Sequence, residues 1–353
     1  MTTRASSARS TFCAIAATLL LATSTASAQT AAPACAKSDE IRVMMFTSLL
    51  NNMVTYIAKD AGLFERNCLN ATLVPIASGP AGMAQLQSGS IHFSDTSIDN
   101  TIIARHRGLP IKIVTGESSV SPYAIVARAD LPLPNASKGY PEAMKDLIGK
   151  KIGIFALGTG SELFVKQMFK GAGIDPKQIT LIAVGPTASQ YAALENKAVD
   201  AVLMADPLQD ISVAGGVGKI VVDLRKAGVG PKEITDLSGV FQVKVASDDF
   251  VQKNPDIVRR YVEANRQAVE WVQNPANRER LYQLMKSHVT FGQTVPNTEQ
   301  LFRRLVDQYA AGSTVVITRK SIAGWNRLQV AAGNVPGEVP WADLIWSGAP
   351  QSD

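Results

Sequence analysis

KIGIFALGTGSELFVKQMFKGA, residues Lys151–Ala172, is the stretch from which the fold can be read. Ile152 to Ala156 is a short apolar run of the kind that forms a buried strand. It breaks at Leu157-Gly158-Thr159-Gly160-Ser161, where glycine permits a tight turn. Glu162 then opens a helical pattern. Leu163, Phe164, Met168 and Phe169 fall on one face, Lys166, Gln167 and Lys170 fall off it, and Gly171 and Gly173 are C-cap candidates. Strand, glycine turn and helix start direct several backbone N–H groups at one point, where a small anion is welcome. An ordinary βα turn is the plain alternative. The G-x-x-x-x-G-K-[ST] spacing of a P-loop is absent, and Leu163 stands where the third glycine of G-x-G-x-x-G belongs.

The same strand–turn–helix grammar recurs on both sides. Upstream, strands are expected at Glu40–Phe46, Asn70–Ala77, Ile91–Ser94 and Ile111–Thr115, with helices between them. That alternation predicts a parallel sheet with right-handed crossovers. Downstream of Lys151 a second unit continues through Thr180–Val184, Ala201–Met204 and Lys219–Asp223. Tyr123–Arg128 (YAIVAR) is expected to cross from the first sheet to the second, and Gly239–Ala246 to cross back. Residues 129–147 form a surface excursion. Helices are expected at Asn254–Val272, Arg278–Lys286, Asn297–Ala311 and Arg319–Ala332, the first opened by Asn254-Pro255-Asp256.

The chain has 353 residues, enough for two domains, and 46% apolar with 18% charged residues describes a folded protein. Arg4, Arg9, the apolar run Cys13–Thr23 and Ala26-Ser27-Ala28 read as a signal peptide, residues 1–28, cleaved after Ala28. Residues 29–38 read as a linker. Net charge is +5, and losing Arg4 and Arg9 with the signal leaves +3. No basic stripe with interleaved aromatics suggests nucleic acid. Cys35 and Cys68 each stand just before a strand, so paired strands would put both sulfurs on one sheet edge. We expect a disulfide in an oxidising compartment; two buried thiols are the alternative. No metal-ligand cluster and no cofactor motif is present.

The order of pieces resembles the periplasmic solute-binding proteins of ABC importers, of the nitrate/sulfonate/taurine type. The likeness is carried by Ala61-Gly62-Leu63-Phe64, Leu86-Gln87-Ser88-Gly89-Ser90, Gly108-Leu109-Pro110-Ile111-Lys112, Asp146–Gly153, Gly158-Thr159-Gly160-Ser161, Gly173-Ile174-Asp175-Pro176, Ala192-Ala193-Leu194, Val199-Asp200-Ala201, Asp206-Pro207 and Asn254-Pro255-Asp256. It covers roughly residues 40–275, with Asp206 standing where relatives often carry Glu. The resemblance implies a bilobal α/β fold of the periplasmic-binding-protein type II class, two sheets joined by a two-crossing hinge, with the C-terminal helices packed on the first lobe. The implied limits are 39–125 for the first lobe, 126–240 for the second and 241–353 for the return. It also implies a monomeric periplasmic receptor that closes on a small solute and presents it to a permease in the inner membrane.

Ligands in open parallel sheets sit beyond the C-terminal ends of the strands. Here those ends offer Thr47, Ser48, Ser78, Gly79, Asp95, Thr96, Thr159, Gly160, Ser161, Thr187 and Asp206, joined by Ser121 and Tyr123 at the crossing. Hydroxyls and glycines suit a small polar or anionic head, although Asp95 and Asp206 would oppose a bare anion. The expected solute is a small organic anion, a sulfonate or an aromatic or aliphatic carboxylate. A pyrimidine precursor of thiamine is the alternative, either bound for transport or, in the synthase group that resembles this fold, acted upon. That group carries a cysteine-rich motif absent here. Of three histidines only His92 falls near the cleft, and no G-x-S-x-G elbow surrounds Ser161, so no enzyme is expected.

Overall fold

The computed structural model describes residues 35–45, 50–76, 79–185, 187–289 and 296–353. The expected signal peptide, most of the linker, and Thr47, Ser48 and Ser78 lie outside the described residues.

The first sheet begins with β1 (Asp39–Met45) and β2 (Leu69–Pro75), paired in parallel from Asp39 opposite Leu69 to Met45 opposite Pro75. A parallel bridge from Val43 to Phe93 leads to β3 (Ser94–Ser97), and β4 (Ile111–Ser118) follows. The second sheet runs β7-β6-β8-β5-β9, with β5 Tyr123–Arg128, β6 Lys151–Ile154, β7 Thr180–Ala183, β8 Ala201–Ala205 and β9 Gly218–Asp223. β6 is parallel to β7 and β8, as the βα grammar requires. The chain is thus mixed α/β: a five-stranded sheet on one side, and on the other the β1-β2 pair joined through the single Val43–Phe93 bridge to a three-stranded sheet.

Two strands break the all-parallel expectation. β10 (Gln242–Ser247) lies between β3 and β4 and is antiparallel to both. β5 is antiparallel to β8 and β9. The reason is geometric. Each enters its sheet from the side where the neighbouring strands end, so it must run away from those ends. Tyr123–Arg128 is therefore not the crossing; it is a central strand with Ala124, Ile125, Val126 and Ala127 all buried. A four-residue buried run fills both faces of a sheet, and each large side chain so placed contributes roughly 1.5–3 kcal/mol. The crossing itself is Ser119–Pro122, which puts Tyr123 at the start of β5.

The late helices follow their apolar spacing. In Pro255–Gln273 the buried Val258, Tyr261, Val262, Asn265, Ala268, Val269 and Val272 recur every three or four residues. Tyr261 stacks on Phe93 at 3.6 Å between ring centroids, which fixes that helix to the first sheet. The Arg319–Ala331 helix holds the return crossing: Trp325 Nε1 donates to Val240 O at 3.1 Å and Ser321 Oγ to Leu237 O at 2.7 Å. Trp325 also packs on Phe241 and on Phe164 of the Gly160–Gly171 helix. Cys35 and Cys68 form the expected disulfide, closing a separation of 33 residues.

Candidate functional site

The turn after β6 is built as its sequence suggests, but its hydroxyls are engaged in building it. Thr159 Oγ1 donates to Ala156 O at 2.7 Å and pairs with Ser161 Oγ at 2.8 Å. Ser161 Oγ accepts the Phe155 N–H at 3.1 Å, and Glu162 Oε2 accepts the Gly158 N–H at 2.6 Å. Facing this helix start is Asp99, from the first turn of the Ile98–His106 helix in the other half of the chain. A Cβ added to Gly160 would lie 2.6 Å from Asp99 Oδ2. Asp99 is only 7% exposed, and no cation among the described residues pairs with it. Burial pushes its carboxyl up, against hydrogen bonds from Ser97 and the Asn100 amide. Burial, then the Asp99 charge, raises the Tyr123 phenol in turn.

Asp95 and Thr96 turn into the first sheet. Lys244, wholly buried in β10, reaches Asp95 Oδ1 at 2.7 Å and Thr55 Oγ1 at 2.7 Å, and ion-pairs with Glu117. Burial alone would lower Lys244, but Asp95 and Glu117 hold it well above the usual lysine range. Burial pushes Glu117 up to about 7; Lys244 opposes that shift and the Asp95 charge adds to it. Ser121 is buried and accepts the Tyr123 N–H, stiffening the crossing. Gly79 and Thr187 begin helices.

Open space lies instead beside the crossing. A cavity of about 300 Å³ is walled by Glu117 and Ser118 at the end of β4, Val120 and Pro122 of the crossing, and Gln242. Asp206, Asp223, Arg225 and Lys226 close it from the second sheet; Leu305, Gln308 and Tyr309 of the Thr298–Gly312 helix cover it. Arg225 is held by three carboxylates, with ion pairs to Asp206 at 2.9 Å, to Asp223 at 2.8 Å and to Asp210. Burial raises Asp206 to about 7, Arg225 opposing, with Asp210 and Asp223 adding to the rise. Tyr309 Oη donates to Glu117 Oε1 at 3.2 Å and accepts the Val54 N–H at 2.9 Å. His92 stacks on Phe250 and accepts the Arg42 amide proton, and it takes no part in this wall.

Of the expected site residues that are described, the cavity gathers only Asp206. The helix start brings Gly160 of the second unit against Asp99, with Tyr123 coupled to that carboxylate, and Asp95 is absorbed by Lys244. Glu117, Arg225, Gln242 and Tyr309 escaped the sequence. A lysine inside the apolar run VFQVKVA and an acid ending the run IKIVTGE were the available signals, since unpaired charge is scarcely ever buried.

A family model described as NMT1/THI5 like matches residues 50–278. The chain belongs to that family. Among its NMT1/THI5-like relatives is the 4-amino-5-hydroxymethyl-2-methylpyrimidine phosphate synthase THI11 of Saccharomyces cerevisiae, 22% identical over 222 residues. That alignment covers 62% of each protein, so the chain spans about three fifths of the length of this curated relative. A candidate binding protein of Brucella abortus is 26% identical over 238 residues, 65% of this chain and 66% of the relative. The fold matches the periplasmic aliphatic sulphonate binding protein SsuA of Escherichia coli at TM-score 0.70 and 18% identity, covering 90% of this chain and 94% of that one. It also matches the alkanesulfonate-binding SsuA of Xanthomonas axonopodis pv. citri, bound to MOPS, at 0.68 and 16%, covering 90% and 100%. Among the described residues no helix is long and apolar enough to cross a membrane.

Proposed function

We propose that this chain is the extracytoplasmic solute-binding protein of an ABC importer, capturing a small organic solute and delivering it to a membrane permease. The supporting observation is the cavity beside Ser119–Pro122, walled by both sheets and by a crossing, so that any hinge motion there changes its shape. A solute favouring the closed arrangement would drive that motion. Secretion with cleavage after Ala28, a monomeric state, and delivery in the periplasm belong to the same proposal, as does the division at the crossings into two lobes. The solved relatives named for sulfonate binding support the transport class.

The organic anion expected from sequence meets a wall in which Arg225 is already engaged and exposed Lys226 is the remaining cation among the described residues. A pyrimidine is the second reading, favoured by the yeast relatives and by Glu117 and Asp206, which can accept from an exocyclic amine. Turnover is not proposed: the described cysteines, Cys35 and Cys68, are bonded to each other. A panel of sulfonates, nitrate, carboxylates, amines and pyrimidines, read by thermal unfolding, tests the receptor reading. At least one class should raise the Tm; a flat response to all of them rejects it.

A further inference from the structure

We infer that the solute carries a basic nitrogen, as a protonated amine, amidine or guanidine, seated between Glu117 on one wall of the cavity and Asp206 on the other. The inference rests on the solute-receptor reading above and narrows the class of ligand. Each wall holds more carboxylate than cation. Asp95 and Glu117 share the single ammonium of Lys244. Asp206, Asp210 and Asp223 share the single guanidinium of Arg225. Buried like charges without compensation are costly, and a cation placed between the two groups relieves both at once.

The same carboxylates keep lone pairs that their present neighbours do not use. Glu117 is 1% exposed and lines the cavity; Tyr309 reaches its Oε1 and Lys244, which it shares with Asp95, its Oε2, so one neighbour serves each oxygen. Among the described residues Asp206 accepts from Arg225 and Gln209 on Oδ1. A protonated nitrogen supplies donors for these remaining lone pairs. Apolar Leu50, Val120, Pro122 and Leu305 line the rest, so an apolar body can follow the charged head. The contrasting position, the start of the Gly160–Gly171 helix, offers an incoming anion little welcome, because the Asp99 carboxylate already lies against it.

The test uses ligands of one shape and different charge on the purified full chain after export. Benzylamine and benzamidine are compared with benzoate, benzenesulfonate and benzyl alcohol by calorimetric titration and Tm shift. The cations should bind most tightly. Asp206→Asn and, separately, Glu117→Gln should each weaken them by about tenfold or more, while benzyl alcohol changes little. Asp206→Asn leaves Arg225 two carboxylates and provides the variant expected to fold normally. Binding of benzoate or benzenesulfonate with the amines silent overturns the inference and leaves the receptor reading standing, as does unchanged amine affinity in Asp206→Asn. Silence from all five, with sulfonates, nitrate and pyrimidines also silent, removes the receptor reading and this inference together.

Discussion

Two regions of the molecule answer to the description of a ligand site, and they have opposite contents. At the start of the Gly160–Gly171 helix the backbone is arranged for an anion, and the chain's own Asp99 lies there. Beside the crossing there is space, and its walls are short of positive charge. The lesson is that local backbone geometry names a possible site, whereas the balance of buried charge decides which ligand that site can accept. A helix N-terminus carries the equivalent of about half a unit of positive charge and favours an anion wherever it comes from, and a side chain of the same protein serves as well as a solute.

The severest way to break the contrast is Lys244→Met. Removing the ammonium leaves Asp95 and Glu117 buried without compensation, at a cost of roughly 3–5 kcal/mol in urea unfolding. A variant as stable as the parent would show that the first wall is not short of cation. Next comes Cys35→Ser with Cys68→Ser, a control remote from both regions. Loss of a cross-link over 33 residues should cost about 3 kcal/mol and leave solute affinity intact. Thiol titration of the denatured, unreduced parent should find neither cysteine free.

Gly160→Ala probes the helix start alone. Its methyl group would lie 2.6 Å from Asp99 Oδ2, closer than a Cβ can sit, so one of the two must shift and Tm should fall by a few degrees. Asp99→Gly in the same chain should restore it, a coupling measurable by a double-mutant cycle. Additive effects would mean that the two residues do not press on each other.

The smallest effect is that of pH. Burial pushes Glu117, facing Lys244, Asp95 and Tyr309, and Asp206, facing Arg225, Asp210 and Asp223, each up to about 7 in the folded chain. Both lie above the usual carboxylate range, so between about pH 4 and 7 the native state binds more protons than the unfolded chain. Stability of the free protein should therefore decline by a few degrees of Tm as pH rises through that window, then level off. A bound cation favours the ionised carboxylates, so its affinity should rise over the same interval. Opposite signs for these two slopes are the signature to look for, and parallel slopes would count against a cation between the walls.

Much was legible in the chain alone. Apolar runs placed most of the strands, although the one expected at Ile91–Ser94 lies at Ser94–Ser97 and the expected crossing Gly239–Ala246 is a sheet strand over Gln242–Ser247, and 3.6-residue spacing placed the late helices to within a residue or two, because both reflect burial of neighbouring positions. The placement of Cys35 and Cys68 before consecutive strands sufficed for the disulfide, since parallel pairing aligns their starts. The family order of turns located the βα elements, including the turn at Gly158–Ser161. The tertiary structure decided the rest. Nothing local in YAIVAR or QVKVAS states that these strands run against their neighbours; the direction follows from entering a sheet at its strand ends. Nothing near Gly160 announces Asp99, some sixty positions earlier, and nothing near Glu117 announces Lys244, Tyr309 or Arg225. Charge balance in a buried cavity is summed over residues that only folding brings together, and its effect falls off over a few ångströms of space, not along the chain.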